Sequence, residues 1–284
     1  MPNGARSAKP DSLMHPLIGV FDSGVGGLSI LREIHSLLPA YPTLFFADQG
    51  HLPYGPRPHA ELLTFSDGIV RWMQACGVQV IVIACHSASA AALYDLRMRY
   101  PQLPFVGIEP AVKPAAENTR SGVIGVLSTQ ATADGDLYRR TVARYAADVR
   151  VLTRVSPDLV TLVERGDWDT PAGMDIIRAH VDPLVTAGAD QIALACTHFP
   201  FLIDRLREAV GESVTFVDPS MGVARQVGRV LEQQGIAPFE GETFTHAYAT
   251  SGEPDALRRM LNHLLGIDAP VLKASWQGTD LTIA

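Results

Sequence analysis

Of the three cysteines in this 284-residue chain, two share a setting. Cys85 follows an apolar run ending in Ala84 and opens Cys85-His86-Ser87, while Cys196 follows one ending in Ala195 and opens Cys196-Thr197-His198-Phe199-Pro200. Each leaves a predicted strand where a helix begins, and there unpaired amides and the helix dipole favour thiolate over a thiol of ordinary pKa about 8.5. His86 and His198 stand beside the thiols, and Ser87 and Thr197 offer hydroxyls to a ligand. Cys76, at a helix end before Gly77, lacks this setting and reads as structural. A single buried cysteine is ordinarily inert core, but two in matched positions point to chemistry that needs a pair. Two single-proton groups on opposite faces of a carbon can invert it, one taking a proton as thiolate and the other returning one as thiol. A nucleophilic hydrolase would instead want one cysteine, a base and an oxyanion hole. Zinc on Cys85, His86, Cys196 and His198 stays open, although the Cys-X-X-Cys and His-Glu-X-X-His spacings of strong zinc signals are missing.

A second feature is the glycine-rich turn Phe21-Asp22-Ser23-Gly24-Val25-Gly26-Gly27. Its glycines let the backbone approach a ligand closely and aim helix N-terminal amides at an anion. Dinucleotide spacing and a Gly-Lys-Ser/Thr are both absent, so a carboxylate is as good a guest as a phosphate. Asp22 reads equally as a helix cap or as a functional group.

The elements that must position these residues alternate. Ile18–Phe21, Leu44–Ala47, Val78–Ala84, Phe105–Ile108, Val123–Leu127, Ile192–Ala195 and Val214–Val217 are short apolar runs. Between them Leu62, Phe65, Ile69, Trp72 and Met73, and later Leu202, Leu206 and Val210, keep helical spacing. Continuous apolar strands separated by helices predict an α/β fold with parallel sheets covered on both faces. A weak repeat underlies the alternation: Ile18-Gly19-Val20 returns as Ile124-Gly125-Val126, and Gly77 precedes Ala84-Cys85 by the interval at which Gly188 precedes Ala195-Cys196. Chance similarity of two α/β halves is the plain explanation, and the matched cysteines favour duplication over it. Ligands of open parallel sheets bind beyond the strands' carboxyl ends, where Asp22, Asp48, Cys85, Ser128 and Cys196 all fall.

Composition excludes several classes. The net charge of −7 disfavours nonspecific nucleic-acid binding. No apolar stretch reaches the roughly 18 residues of a membrane span, and the polar first sixteen residues lack the core of a secretory signal. An odd number of cysteines is no disulfide framework and fits a reducing, cytoplasmic setting. Three lysines stand against twenty arginines. Lys9 and Lys273 lie near the ends, which leaves Lys113 alone for the Schiff base that pyridoxal phosphate would require.

Together these motifs resemble the aspartate/glutamate racemase superfamily, and glutamate racemases within it, from about Leu17 to Gly266. Asp22 through Gly27 is similar to the first signature, Asp48 through Pro53-Tyr54-Gly55 to the second, and Cys196 through Pro200 to the last, with Phe199 where many members have tyrosine. The resemblance implies two pseudo-symmetric, flavodoxin-like parallel-sheet domains facing a central cleft. Residues 17–108 plus 213–266 would form the first and 109–212 the second, with 1–16 and 267–284 as tails. It implies cofactor-independent exchange of L- and D-glutamate, feeding peptidoglycan synthesis, with Cys85 and Cys196 each serving one enantiomer. Asp22 would assist Cys85, and His198 with Glu164 would assist Cys196. Ser23, Tyr54, Gly55, Ser87, Thr197 and Thr129, with Asp22, His86 and His198, would hold the substrate. Monomer and homodimer both stay open, as do another acidic amino acid as substrate and a noncatalytic amino-acid-binding role. One departure stands out: the family's usual Cys-Asn-Thr is Cys85-His86-Ser87 here. A charged His86 would favour the Cys85 thiolate or attract a carboxylate, so that His86→Asn would shift the pH optimum; a neutral one would fill space.

Overall fold

The computed structural model describes residues 16–241 and 243–283. Eleven strands appear among them: β1 (Ile18–Asp22), β2 (Thr43–Ala47), β3 (Val80–Ile83), β4 (Phe105–Gly107), β5 (Val123–Ser128), β6 (Arg150–Val155), β7 (Gln191–Ala195), β8 (Thr215–Val217), β9 (Ala247–Thr250), β10 (Val271–Gln277) and β11 (Asp280–Ile283). They form a seven-stranded sheet ordered β11-β10-β9-β2-β1-β3-β4 and a four-stranded sheet ordered β6-β5-β7-β8. Every pairing is parallel except β10 with β11. The α/β class and the two parallel sheets agree with the sequence reading.

The repeated Ile-Gly-Val segments are the matching inner strands of the two sheets. β1 lies between β2 and β3 as β5 lies between β6 and β7, and Ile18 pairs with Val80 as Ile124 pairs with Gln191. The Asp48 amide donates to the Asp22 carbonyl and the Ser156 amide to the Ser128 carbonyl, each at 2.9 Å. These contacts align Asp22 with Ser128, Asp48 with Ser156 and Cys85 with Cys196. Glycine recurs because a helix crosses each strand there: a Cβ on Gly19 would come within 2.7 Å of the Met73 sulfur, and one on Gly125 within 3.0 Å of Leu184 Cδ1. Gly77 and Gly188 turn the chain into β3 and β7 with the same left-handed φ of +96°.

The expected domain limits need two corrections. Residues 213–217 belong with the second sheet, because β8 pairs with β7, and the chain returns to the first unit only after Val217. The helix Ser220–Gln233 then packs on the helix Leu28–Leu37. Residues 267–284 are no tail as far as Ile283. β10 pairs parallel with β9, and the β10–β11 hairpin lies on the helix His59–Cys76. Gly68 of that helix makes room, since a Cβ there would lie 2.6 Å from the Trp276 ring. Of the expected tail 1–16, residues 1–15 lie outside the described residues. No helix among the described residues is long and apolar enough to cross a membrane.

Candidate active site

A cavity of about 630 Å³ lies beyond the carboxyl ends of β1, β3, β5 and β7. Ser23, Tyr54, Gly55, Cys85, His86 and Ser87 line it from the first unit, and Thr129, Glu164, Cys196, Thr197 and His198 from the second. Both sulfurs therefore face one space, contributed by different sheets. Asp22 alone of the expected site residues is not in the wall. It lies fully buried beneath it, accepting from the Gly24 amide at 2.9 Å and the Thr197 hydroxyl at 2.9 Å. Arg165, exposed at the rim, and Gln49, behind Glu164, were missed by sequence reasoning, although Gln49 follows Asp48 inside the second signature stretch and Arg165 follows Glu164 directly.

On the first side, Cys85 caps the helix His86–Arg99, and its thiol reaches the Ser23 hydroxyl at 3.8 Å. Ser87 shares a 2.9 Å hydrogen bond with Thr129, joining the two walls. The helix terminus does not decide the thiol's acidity as its sequence setting suggested. Burial, the neighbouring Asp22 carboxylate and the second sulfur push Cys85 up to about 12, against the pull of the Ala88 amide and Ser23. Cys85 is therefore a thiol at neutral pH. Burial likewise raises Asp22, opposed by His198, the Gly24 amide and Thr197.

On the second side, His198 Nδ1 lies 3.6 Å from the Cys196 sulfur and its Nε2 lies 2.7 Å from Glu164 Oε1. Burial alone would keep the ring neutral, but sulfur and carboxylate on its two nitrogens outweigh that and hold its pKa well above 6.5. Glu164 also accepts from the Val25 amide at 2.8 Å and from Gln49 at 3.3 Å. Although burial opposes it, these donors and His198 keep the carboxyl below its usual range. A charged His198 thus turns one donor to Glu164 and the other to Cys196.

The glycine-rich turn finds its anion inside the protein. Glu164 takes the loop amide of Val25, and a Cβ on Gly24 would overlap the Glu164 carboxylate. A Cβ on Gly26 would lie 2.5 Å from both His198 Nδ1 and Thr197 Oγ1. The glycines therefore admit the second unit's catalytic candidates to the first. Gly26→Ala is expected to destabilise the fold by about 1–3 kcal/mol and to lower activity roughly tenfold by displacing His198. Thermal unfolding and turnover measured side by side check this, and wild-type values for both would contradict it.

His86 is only 2% exposed, and neither ring nitrogen has a hydrogen-bond partner among the described residues. Burial pushes its pKa down to about 3, so the ring is neutral at working pH. The charged alternative is thereby set aside. Among the described residues, no group of three or more His, Cys, Asp or Glu is placed to hold a metal ion.

Several known proteins are similar to this chain. The family described as Asp/Glu/Hydantoin racemase matches residues 18–227. A glutamate racemase of Roseiflexus sp. (strain RS-1) is 43% identical over 249 residues, covering 87% of this chain and 91% of its own. One of Ectopseudomonas mendocina is 44% identical over 254 residues, covering 89% and 96%. Among solved structures, a glutamate racemase isoform of Bacillus anthracis superposes with a TM-score of 0.83 at 28% identity, covering 94% of this chain and 99% of that one. The Thermus thermophilus glutamate racemase in complex with β-chloro-D-alanine gives 0.77 at 33%, covering 91% and 96%. With the family matched across most of its length, and with paired thiols facing one cavity, this chain belongs to the Asp/Glu/Hydantoin racemase family.

Proposed function

We propose that this protein is a glutamate racemase that works without a cofactor, one thiol group taking the proton from the substrate's α-carbon and the other supplying a new one from the opposite face. One observation carries the reading: Cys85 and Cys196 come from different sheets and line a single cavity, each with its own polar support. One sulfur, as thiolate, takes the α-proton. The electron pair left on carbon is held by conjugation with the carboxylate, and the opposite thiol returns a proton to the other face. The sulfurs then hold each other's starting protonation, and the reverse reaction or exchange with water resets them. His198, charged and donating toward Cys196, supports that sulfur as the base. The protonated Cys85 is the complementary acid. Hydroxyls of Ser23, Ser87, Thr129 and Thr197, with the charges of His198 and Arg165, suit an amino acid bearing two carboxylates.

Glutamate as substrate follows the relatives above, and its D-enantiomer would serve peptidoglycan synthesis in the cytoplasm, where thiols stay reduced. The test is incubation with L-glutamate and, separately, L-aspartate in heavy water with no added cofactor. Deuterium should enter the α-position as D-glutamate forms. Faster turnover of aspartate would reassign the substrate, and racemisation without solvent deuterium would reject the mechanism.

Because His86 is neutral, the pH dependence of the reaction does not belong to it. His86→Asn is expected to leave the pH–rate profile between pH 6 and 9 in place while changing KM about threefold, through altered packing and hydrogen bonding. A profile displaced by half a pH unit would show that the ring titrates in the working range after all.

A further inference from the structure

Tyr54 and Gly55, one wall of the cavity, stand at the end of a loop that begins at Asp48. Asp48 is fully buried and accepts four side-chain hydrogen bonds: from His51 Nδ1 at 2.9 Å, the Tyr54 hydroxyl at 2.6 Å, the Ser251 hydroxyl at 2.6 Å and Trp276 Nε1 at 2.8 Å. The first two bonds hold the loop. The other two come from the chain's far end, and Trp276 lies in β10, well beyond residue 227, where the family match stops. The Trp276 ring also meets His51 and Phe65, with centroids 5.2 and 5.9 Å away. Gly68 leaves space for that ring, and Arg71 fastens the hairpin turn through the Thr279 carbonyl at 2.7 Å and Asp280 at 3.0 Å. Lys273 of the same strand binds the Ser251 carbonyl at 3.2 Å, steadying the residue whose hydroxyl reaches Asp48.

We infer that Trp276 is a positioning residue of the active site: through Asp48 it holds the Tyr54–Gly55 wall against which the substrate binds, so the C-terminal hairpin tunes substrate affinity without touching substrate. The inference rests on the racemase reading above. Four donors outweigh the burial of Asp48 and keep it a carboxylate, and its grip on Tyr54 depends on the other donors fixing its plane. Neither sulfur, nor the His198–Glu164 pair, hydrogen-bonds to Trp276.

Trp276→Phe in the full chain removes the N–H that reaches Asp48 and keeps an aromatic ring beside His51 and Phe65, at the cost of some packing over Gly68. It is expected to raise KM for glutamate about fivefold, with kcat within about twofold, and to lower the thermal midpoint by the lost packing alone. Glutamate affinity measured by calorimetry should weaken in step. Asp48→Asn should raise KM as well, and adding Trp276→Phe to it should change little further, because both act through one carboxylate. A KM unchanged in Trp276→Phe, kcat falling as far as KM rises, or effects that simply multiply in the double variant would each overturn the proposal. A wild-type chain that neither binds nor racemises glutamate would instead remove the parent reading.

Discussion

Replacing Cys85 with serine should lower racemisation of glutamate by about a thousandfold, and Cys196→Ser should do the same. A hydroxyl is far too weak an acid to act as the base, and too reluctant to part with its proton to replace the thiol as donor. L- and D-glutamate have equal free energies in water, so kcat/KM must be the same in both directions for every variant. Damage to one sulfur therefore lowers both directions together. The asymmetry of the site shows elsewhere, in exchange of the α-hydrogen with solvent. With one thiol removed, the other can still take the proton from the enantiomer that presents it and return a solvent hydrogen to the same face. Each variant should label one enantiomer in heavy water without inverting it, and the two variants should label opposite enantiomers. Mass spectrometry after chiral separation reads this directly. If either serine variant racemised within tenfold of wild type, the two-base assignment would fall.

Glu164→Gln tests the other half of the site, and it separates charge from shape. The amide oxygen can still accept from Val25, so the glycine turn keeps its partner, while His198 loses the carboxylate that holds its charge. The expected activity loss is about a hundredfold. Removing one partner of a buried ion pair should also cost about 3 kcal/mol of folding stability near pH 6. The pH dependence has a definite sign. His198 is raised on folding, so its contribution is complete below the ordinary 6.5 and fades as pH climbs through the raised value. Glu164 is lowered, so its contribution is complete above the ordinary 4.5 and fades as pH drops through the lowered value. The stability gap between wild type and variant should therefore be widest between about pH 4.5 and 6.5 and narrow on both sides. Urea unfolding across a pH series measures it; a gap independent of pH would mean that the pair is not ionised as described.

Much of this architecture could be read from residue order because buried parallel strands are continuous apolar runs with glycines at their helix crossings. The strands that escaped notice lack that signal. β6 is an edge strand with Arg150 and Arg154 exposed, so its apolar content is diluted. β9 is only four residues long. The β10–β11 hairpin did carry a cue: Gly278, at a φ of +62°, begins a two-residue turn between Gln277 and Asp280. Placement at the chain's end hid it. In the site, the cysteines, the glycine turn and Thr197-His198 were legible as motifs. Their electrostatics were not. The high pKa of Cys85 comes from burial over Asp22, and the anion in the glycine turn comes from Glu164, 139 residues away. Local sequence encodes neither.

The like-ordered halves of the chain differ where their strands end, with Asp22 and Asp48 in one and Ser128 and Ser156 in the other. In a dimer of identical half-chains, symmetry would oblige both sulfurs to share the same surroundings, and a single proton would rest on either one equally. Joining the halves in one polypeptide lifts that obligation. One sulfur keeps its hydrogen above a buried carboxylate while the other faces a positively charged ring.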